Sequence, residues 1–167
     1  MARFDSLFVA KLLALLIPAA LLAGAYGSQY LGGLHPCEMC YWQRWPHWAA
    51  AGLAIGAFLL VRMPDRGRSL VWLAALAILT SGAIGVYHAG VEAGLITGAT
   101  QCSMAPTATD DGALYADLLS RPAIRCDEIQ FSFLGVSMAG WNAIISICGA
   151  LLVSWLSLKR PRDLARA

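Results

Sequence analysis

The chain has 167 residues, of which 59% are hydrophobic and only 13% are charged, and its formal net charge is +2. This composition is far too apolar for an ordinary soluble domain of this length. The small basic excess follows from membrane topology rather than from a nucleic-acid surface, so no nucleic-acid partner is expected. The composition therefore predicts an integral membrane protein.

Four charge-free tracts follow one another along the chain, at residues 12–37, 45–61, 69–91 and 129–158. Each is long enough for the roughly 17 to 25 helical residues that cross a hydrocarbon core. We predict membrane-spanning helices at about residues 10–27, 44–62, 70–90 and 138–158. The second tract is the shortest, and the long stems of Arg44 and Arg62 can extend it to the interface. The expected fold is an all-α membrane protein, a single domain over residues 1–167 built as a bundle of four transmembrane helices.

The N-terminal stretch also resembles a secretory signal peptide, with basic residues, an apolar run and Ala23-Gly24-Ala25 in place of a cleavage site. The uncharged tract continues well past these residues, which favours a retained span. Cleavage would leave three spans and would not move the cysteine motif to the other side of the membrane.

Lys and Arg predict the orientation, because they are retained on the cytoplasmic side of short loops. They concentrate before the first span, between the second and third spans, and after the fourth: Arg3, Lys11, Arg62, Arg66, Arg68, Lys159, Arg160, Arg162 and Arg166. We therefore expect both chain ends to be cytoplasmic. The short and long outer loops would then lie at about residues 28–43 and 91–137.

The long outer loop is the part of the chain with the composition of a soluble protein. A capping signal at Thr109-Asp110-Asp111 precedes apolar residues at helical spacing, from Ala113 to Leu119. This pattern predicts a short amphipathic helix on the membrane surface. A helix that only packs the loop onto the bundle fits the same pattern.

Four of the five cysteines, Cys37, Cys40, Cys102 and Cys126, fall in the outer loops, where an oxidising compartment favours disulfides. Loop-closure entropy gives roughly 2 kcal/mol for the ring of the first pair and about 3.5 kcal/mol for the second pair. The CxxC pair is thus a weak structural bridge and is better suited to a reversible dithiol. For the second pair, structural and redox roles both remain open. Cys148 lies inside a span and is expected to be a small buried packing residue.

Metal binding is an alternative for the CxxC pair, since His35 and His47 complete a set of four zinc ligands on paper. The set lacks a second CxxC or an HxxxH, which makes it an atypical zinc site. Covalent haem attachment would need a histidine directly after the second cysteine, where this chain has Tyr41.

Two polar side chains at membrane depth are candidate site residues. Arg44, near the start of the second span, opposes the helix dipole unless an anion is close. A thiolate at Cys40, with a lowered pKa, or a reduced quinone oxygen would supply that anion. Anchoring of Arg44 at the interface is the alternative. His88, in GVYHAGVE, is the second candidate, although a histidine can simply cap a helix end. The glycines just before it suit close helix packing.

These residues carry a resemblance to a known family. The Cys37-x-x-Cys40-x-x-Gln43-Arg44 motif, Tyr87-His88 and the stretch CDEIQFSFLGVSMAGWN are together similar to the disulfide-bond-formation protein B (DsbB) family. The members are bacterial inner-membrane thiol:quinone oxidoreductases, and the resemblance covers nearly the whole chain. It places the protein in the cell inner membrane, with the cysteine loops in the periplasm.

The resemblance implies an electron path and a role for each site residue. A periplasmic DsbA-like thioredoxin-fold protein would be re-oxidised by Cys102 and Cys126, with Cys102 forming the mixed disulfide. Cys126 would exchange with Cys37, and Cys40 would face a quinone, either ubiquinone or menaquinone, from the membrane pool. Arg44 and His88 would contact that quinone. One departure from the best-known member is Glu38-Met39 between the motif cysteines, since an acid there opposes thiolate formation.

Overall fold

The computed structural model describes residues 5–62, 64–97 and 125–159. These ranges contain four helices and one two-stranded hairpin: α1 (Ser6–Tyr30), α2 (Glu38–Leu59), α3 (Arg68–Glu92), β1 (Ser132–Phe133), β2 (Val136–Ser137) and α4 (Met138–Leu158). The predicted all-helical bundle is therefore confirmed. Three of the described helices, α1, α3 and α4, are long and apolar enough to cross a membrane. Cys102 and the predicted amphipathic helix lie outside the described residues.

The helices form a ring in which α1 and α3 each pack against both α2 and α4. Alanines dominate the buried interior, and small side chains let helices approach closely. One close approach to backbone is at Gly85 of α3, where an added Cβ would stand 3.0 Å from the carbonyl oxygen of Ala139 on α4. The expectation that glycines of this helix serve close packing is thus confirmed. This contact holds the inner face of α3 against α4.

Helix α2 begins at Glu38 rather than near residue 44, because Cys37 caps it. The Cys37 Sγ accepts a hydrogen bond from the backbone N–H of Cys40 at 3.3 Å. Cys40 is therefore in the first turn of the helix and not in a loop. Arg44 lies in the second turn, not in the first as expected. The early start adds Cys40 and Gln43 to the helix, and both belong to the candidate site.

Two features of the C-terminal region differ from expectation. A hairpin precedes α4, and its two turn residues, Leu134 (φ 54°) and Gly135 (φ 77°), adopt the left-handed conformations that two-residue hairpin turns require. The hairpin delivers Ser137, which caps α4 by accepting a hydrogen bond from the Gly140 N–H at 3.1 Å. The expectation of a buried Cys148 is wrong, because its side chain is exposed on the outer, apolar face of α4.

Candidate functional site

The candidate site lies at the end of the bundle where α1 and α3 finish and α2 and α4 begin. The opposite end carries described basic side chains: Lys11, Arg62, Arg66, Arg68 and Lys159. The two ends therefore differ in chemistry, with the thiols at one end and most of the described basic side chains at the other.

Cys37 and Cys40 form a hydrogen-bonded thiol pair ahead of the predicted second span. The Cys37 thiol donates to Cys40 Sγ over 2.9 Å. This bond lowers the pKa of Cys40, and the Arg44 charge lowers it further, as the sequence predicts. The same bond, together with burial, raises the pKa of Cys37. Cys40 is therefore the more acidic thiol of the pair.

Cys126 packs onto this pair from the far end of the long outer loop. It shares a buried cluster with Cys37, Met39 and Val91, and Cys40 packs against the cluster. Cys126 is 4% exposed, and all the cysteines in the described part of the chain are free thiols. Three of the four predicted redox cysteines are thus brought together, and the fourth, Cys102, is outside the described residues.

His88 lies on the thiol side of the site. Its Nε2 is 3.6 Å from Cys37 Sγ and 3.7 Å from Glu92 Oε1. Its Nδ1 is 2.8 Å from the side-chain nitrogen of Gln43. Because that amide nitrogen donates, Nδ1 accepts and the ring proton is on Nε2, facing the thiol and the carboxylate. Glu92 in turn accepts a hydrogen bond from Ser137, so this carboxylate is fixed beside the thiols.

The charge of Glu92 matters for the thiol pair. It raises the pKa of Cys40, against the effects of Cys37 and Arg44. The sequence suggested Glu38 as the acid that opposes thiolate formation, and the fold adds this second carboxylate from α3.

Arg44 is buried against the last turns of α1. It donates to Gln29 Oε1 at 2.6 Å and to the Ala25 carbonyl oxygen at 3.2 Å, and its guanidinium lies 4.7 Å from the Tyr26 ring centroid. The carbonyl end of a helix carries partial negative charge, which balances the cation. The Nε of Arg44 has no partner among the described residues. One N–H of a buried guanidinium is therefore left without an acceptor.

A cavity of about 220 Å³ lies next to Arg44, between α1, α2 and the start of α4. Cys40, Gln43, Arg44 and His47 line it from one face of α2, at the spacing of successive helical turns. Most of the remaining wall is apolar: Leu21, Leu22, Leu34, Phe131, Met138 and Trp141. His88 does not line this cavity in the described part of the chain, so the structure places it at the thiols instead.

The described residues also bring three metal-binding atoms together. The side chains of Cys37, Cys40 and His88 place their ligand atoms within 4.8 Å of one another. The sequence suggested His35 and His47 as the histidine ligands. His35 is exposed, and the Nε2 of His47 is 2.9 Å from Asn142 Oδ1. His88 is therefore the histidine that joins the thiols.

Four residues of the site were not predicted as such, Gln43, Glu92, Ser137 and Asn142, and His47 was considered only as a zinc ligand. Gln43 stands inside the CxxCxxQR motif, and His47 continues the helical face of Cys40, Gln43 and Arg44, so both had a signal in the sequence. The others meet α2 only through the packing of α3 and α4.

Comparison with known proteins identifies the family. The family model described as "Disulfide bond formation protein DsbB" matches residues 8–156 of the chain. The chain belongs to the DsbB family. The protein is thus a membrane protein of disulfide-bond formation with the oxidoreductase character of that family, and it works with a thiol-disulfide partner.

Individual relatives agree with this assignment. A "Disulfide bond formation protein B" of Paracidovorax citrulli is 30% identical over 165 residues, which cover 91% of this chain and 89% of the relative. One of the same name from Acidovorax sp. is 28% identical and covers 94% of both chains. An uncharacterized protein of Rickettsia prowazekii is 26% identical over 86% of this chain and 84% of its own. No solved structure matches the chain.

Proposed function

We propose that this DsbB-family protein is a quinone-dependent thiol oxidase that re-oxidises a periplasmic, DsbA-like thioredoxin-fold protein. The observation that carries the proposal is the position of Cys40. It packs with Cys37 and Cys126 on one side and lines the cavity beside Arg44 on the other. A thiolate at this position connects a chain of cysteines with a ligand pocket.

The electron path runs through four thiol exchanges. A partner thiolate attacks Cys102 of a Cys102–Cys126 disulfide, and the partner's second thiol then releases the oxidised partner. Cys126 attacks Cys37 of a Cys37–Cys40 disulfide, which frees Cys40 as a thiolate. Return of the Cys102–Cys126 disulfide leaves Cys37 and Cys40 reduced. The net result so far is one partner disulfide formed and one CxxC disulfide reduced, with two protons and two electrons moved.

The geometry favours these roles for Cys37 and Cys40. The attacked sulfur should be the one whose partner leaves easily, and a thiol with a lowered pKa is the better leaving group. Cys37 has no thiol proton to donate once it is in the mixed disulfide, and the charge of Arg44 then lowers the pKa of the departing Cys40. Attack on Cys37 with departure of Cys40 is therefore the favoured direction.

The cavity residues fit a quinone, either ubiquinone or menaquinone. When bound, a quinone accepts the two electrons and two protons that Cys37 and Cys40 release as their disulfide re-forms. The unpartnered Nε–H of Arg44 is a donor suited to a ring oxygen, and the apolar wall suits the ring and its hydrocarbon tail. Cys40, which lines the same cavity, would then lie at the ring.

We also propose that α2 is a fourth span, with both chain ends cytoplasmic and the thiols periplasmic, in a bacterial inner membrane. Five of the described basic side chains lie at the end opposite the thiols, against Arg44 and Arg125 at the thiol end, and this excess agrees with the retention of cations in the cytoplasm. The polar residues of α2 that lower its hydropathy, such as Arg44 and His47, are turned into the bundle and are buried.

The test is quinol formation by purified protein supplied with a reduced thioredoxin-fold partner and excess quinone. Cys40→Ser should abolish turnover. Cys148→Ser should retain it, because Cys148 is exposed on α4 away from the site. Turnover that survives Cys40→Ser would exclude this mechanism.

A second candidate is metal binding by Cys37, Cys40 and His88, favoured by the closeness of their ligand atoms. It predicts stoichiometric zinc in the purified protein that is lost in His88→Asn, and no oxidation of added thiols. Quinol formation by metal-free protein would exclude it.

A further inference from the structure

The network around His47 fixes which of its ring nitrogens carries the proton. The Ser81 hydroxyl donates to the Gln43 carbonyl oxygen at 2.8 Å, so its oxygen can only accept from His47 Nε2, 2.9 Å away. Asn142 Oδ1, also 2.9 Å from Nε2, is an acceptor as well. The proton is therefore on Nε2, where it satisfies both neighbours.

The orientation of Asn142 supports the same assignment. Its Nδ2 donates to the backbone carbonyl oxygen of Ser81 at 3.2 Å, and a carbonyl oxygen accepts only. This contact turns Oδ1 toward His47, where the Ser146 hydroxyl also donates to it. The backbone carbonyl oxygen of Ser81 thus fixes the orientation of the Asn142 amide, and Asn142 Oδ1, which can only accept, then fixes the His47 tautomer.

The other ring nitrogen of His47 is left without a partner. His47 is 3% exposed, and its Nδ1 has no hydrogen-bond partner among the described residues. A second positive charge one helical turn from Arg44 would be costly at membrane depth, so Nδ1 carries a lone pair. Buried polar groups are nearly always paired, which makes this nitrogen an acceptor in need of a donor.

His47 and Arg44 both line the cavity. Among the described residues that line the cavity, one therefore has a buried, unpartnered donor, Arg44 Nε–H, and one has a buried, unpartnered acceptor, His47 Nδ1. An oxidised quinone has carbonyl oxygens, which accept hydrogen bonds but donate none. A hydroquinone has hydroxyl groups, which do both. The two orphaned atoms therefore suit the reduced ring better than the oxidised ring.

Resting on the proposed function, we propose that His47 is a specificity-determining contact for the reduced ring, whose hydroxyl donates to His47 Nδ1. A site that binds the reduced form more tightly than the oxidised form makes the bound quinone a stronger oxidant, which favours electron transfer from Cys40. One hydrogen bond of ordinary strength corresponds to about a tenfold preference. For a two-electron couple this is about 30 mV.

Two substitutions separate the ring contact from the structural network. In His47→Gln the amide nitrogen can still donate to Asn142 and Ser81, but the acceptor at the Nδ1 position is removed. In His47→Asn the shorter amide keeps an acceptor near the Nδ1 position and loses the bond to Asn142. If His47 contacts the ring, His47→Gln should change binding. If its role is purely structural, His47→Asn should have the larger effect.

The experiment measures dissociation constants of a short-chain ubiquinone and of its quinol by anaerobic calorimetry. A Cys40→Ser background prevents the thiols from reacting with the quinone. We expect His47→Gln to weaken quinol binding about tenfold and to leave quinone binding within about twofold. In His47→Asn, the ratio of the quinone and quinol dissociation constants should be the same as in the protein with His47 intact. An equal loss for both forms in His47→Gln, or an unchanged ratio, would overturn the assignment.

Failure of the proposed function gives a different result, since protein with His47 intact would then bind neither form. If His47→Gln does not fold, ¹⁵N-histidine spectra of the protein with His47 intact provide the second readout. Quinol should shift the resonance of the unprotonated His47 nitrogen and quinone should not. No shift with quinol, at a concentration that saturates binding, would overturn the proposal equally.

Discussion

The Cys37 thiol donates to Cys40 Sγ over 2.9 Å, and the same Cys37 sulfur accepts from the Cys40 backbone N–H at 3.3 Å. These two contacts run in opposite directions, hold the pair in one arrangement and make Cys40 the more acidic of the two thiols. The bond therefore acts in the reduced pair, whereas the charge of Arg44 also lowers the pKa of Cys40 when Cys37 is attacked and Cys40 leaves.

Removal of the Cys37 thiol should make Cys40 less acidic. The hydrogen bond from Cys37 is the largest cause of the lowered Cys40 pKa. In Cys37→Ala the pH at which Cys40 becomes half-reactive toward iodoacetamide should therefore move up. In Cys37→Ser it should move less, since a hydroxyl can still donate. Mass mapping of the Cys40 peptide gives the readout, and equal midpoints in Cys37→Ala and the unsubstituted protein would exclude the bond as the cause.

Neutralising Glu92 should have the opposite effect. Its charge raises the pKa of Cys40, so Glu92→Gln should move the alkylation midpoint of Cys40 to lower pH. Glu38→Gln is the matched control, because it removes the acid between the motif cysteines and leaves Glu92 in place. A larger downward shift in Glu38→Gln than in Glu92→Gln would contradict the assignment of Glu92 as the main opposing charge.

Arg44 serves both the thiolate and the cavity, and two variants separate these roles. Arg44→Lys keeps the charge and should leave the alkylation midpoint of Cys40 nearly unchanged. It loses the fixed guanidinium geometry and the Nε–H at the cavity, and the KM for quinone should rise about tenfold or more. Arg44→Gln should raise both the KM and the midpoint pH. An unchanged KM in both variants would remove Arg44 from the proposed quinone site.

The close contact of α3 with α4 can be tested through glycines. A Cβ at Gly85 would stand 3.0 Å from the Ala139 carbonyl oxygen, so Gly85→Ala should lower the free energy of unfolding by about 1–3 kcal/mol. Gly52 in α2 has nothing within 4 Å of such a Cβ, and Gly52→Ala should be neutral or stabilising by up to about 1 kcal/mol. Thermal melts in detergent give both values. Equal stability of the two variants would contradict the observed packing.

The fold was predictable where membrane physics alone determines it. The charge-free tracts locate α1, α3 and α4, and the last predicted span, 138–158, has the bounds of α4. The start of α2 was not predictable from hydropathy, since Glu38, Gln43 and Arg44 interrupt the apolar tract. The hairpin depends on left-handed conformations at Leu134 and Gly135, a turn with little sequence signal beyond the glycine.

The site was predictable in its motif and not in its surroundings. Cys37, Cys40 and Arg44 stand at short, recognisable spacing, and their shared helix keeps them together. The Asn142 contact with His47 joins residues of α4 and α2, and the effect of the Glu92 charge on Cys40 links α3 to α2. Such contacts are determined by helix packing, and the local sequence around either residue does not predict them.

The central claim is that electrons leave the protein from Cys37 and Cys40 to a quinone. The most direct measurement is an anaerobic single turnover, in which fully reduced protein receives one equivalent of oxidised quinone and its thiols are mapped by mass. Cys102→Ser with Cys126→Ser serves as the background, so that only the CxxC pair can be oxidised by loss of two thiols. If electrons leave in this way, we expect one Cys37–Cys40 disulfide and one quinol per protein. Quinone that stays oxidised while both thiols remain free would contradict it.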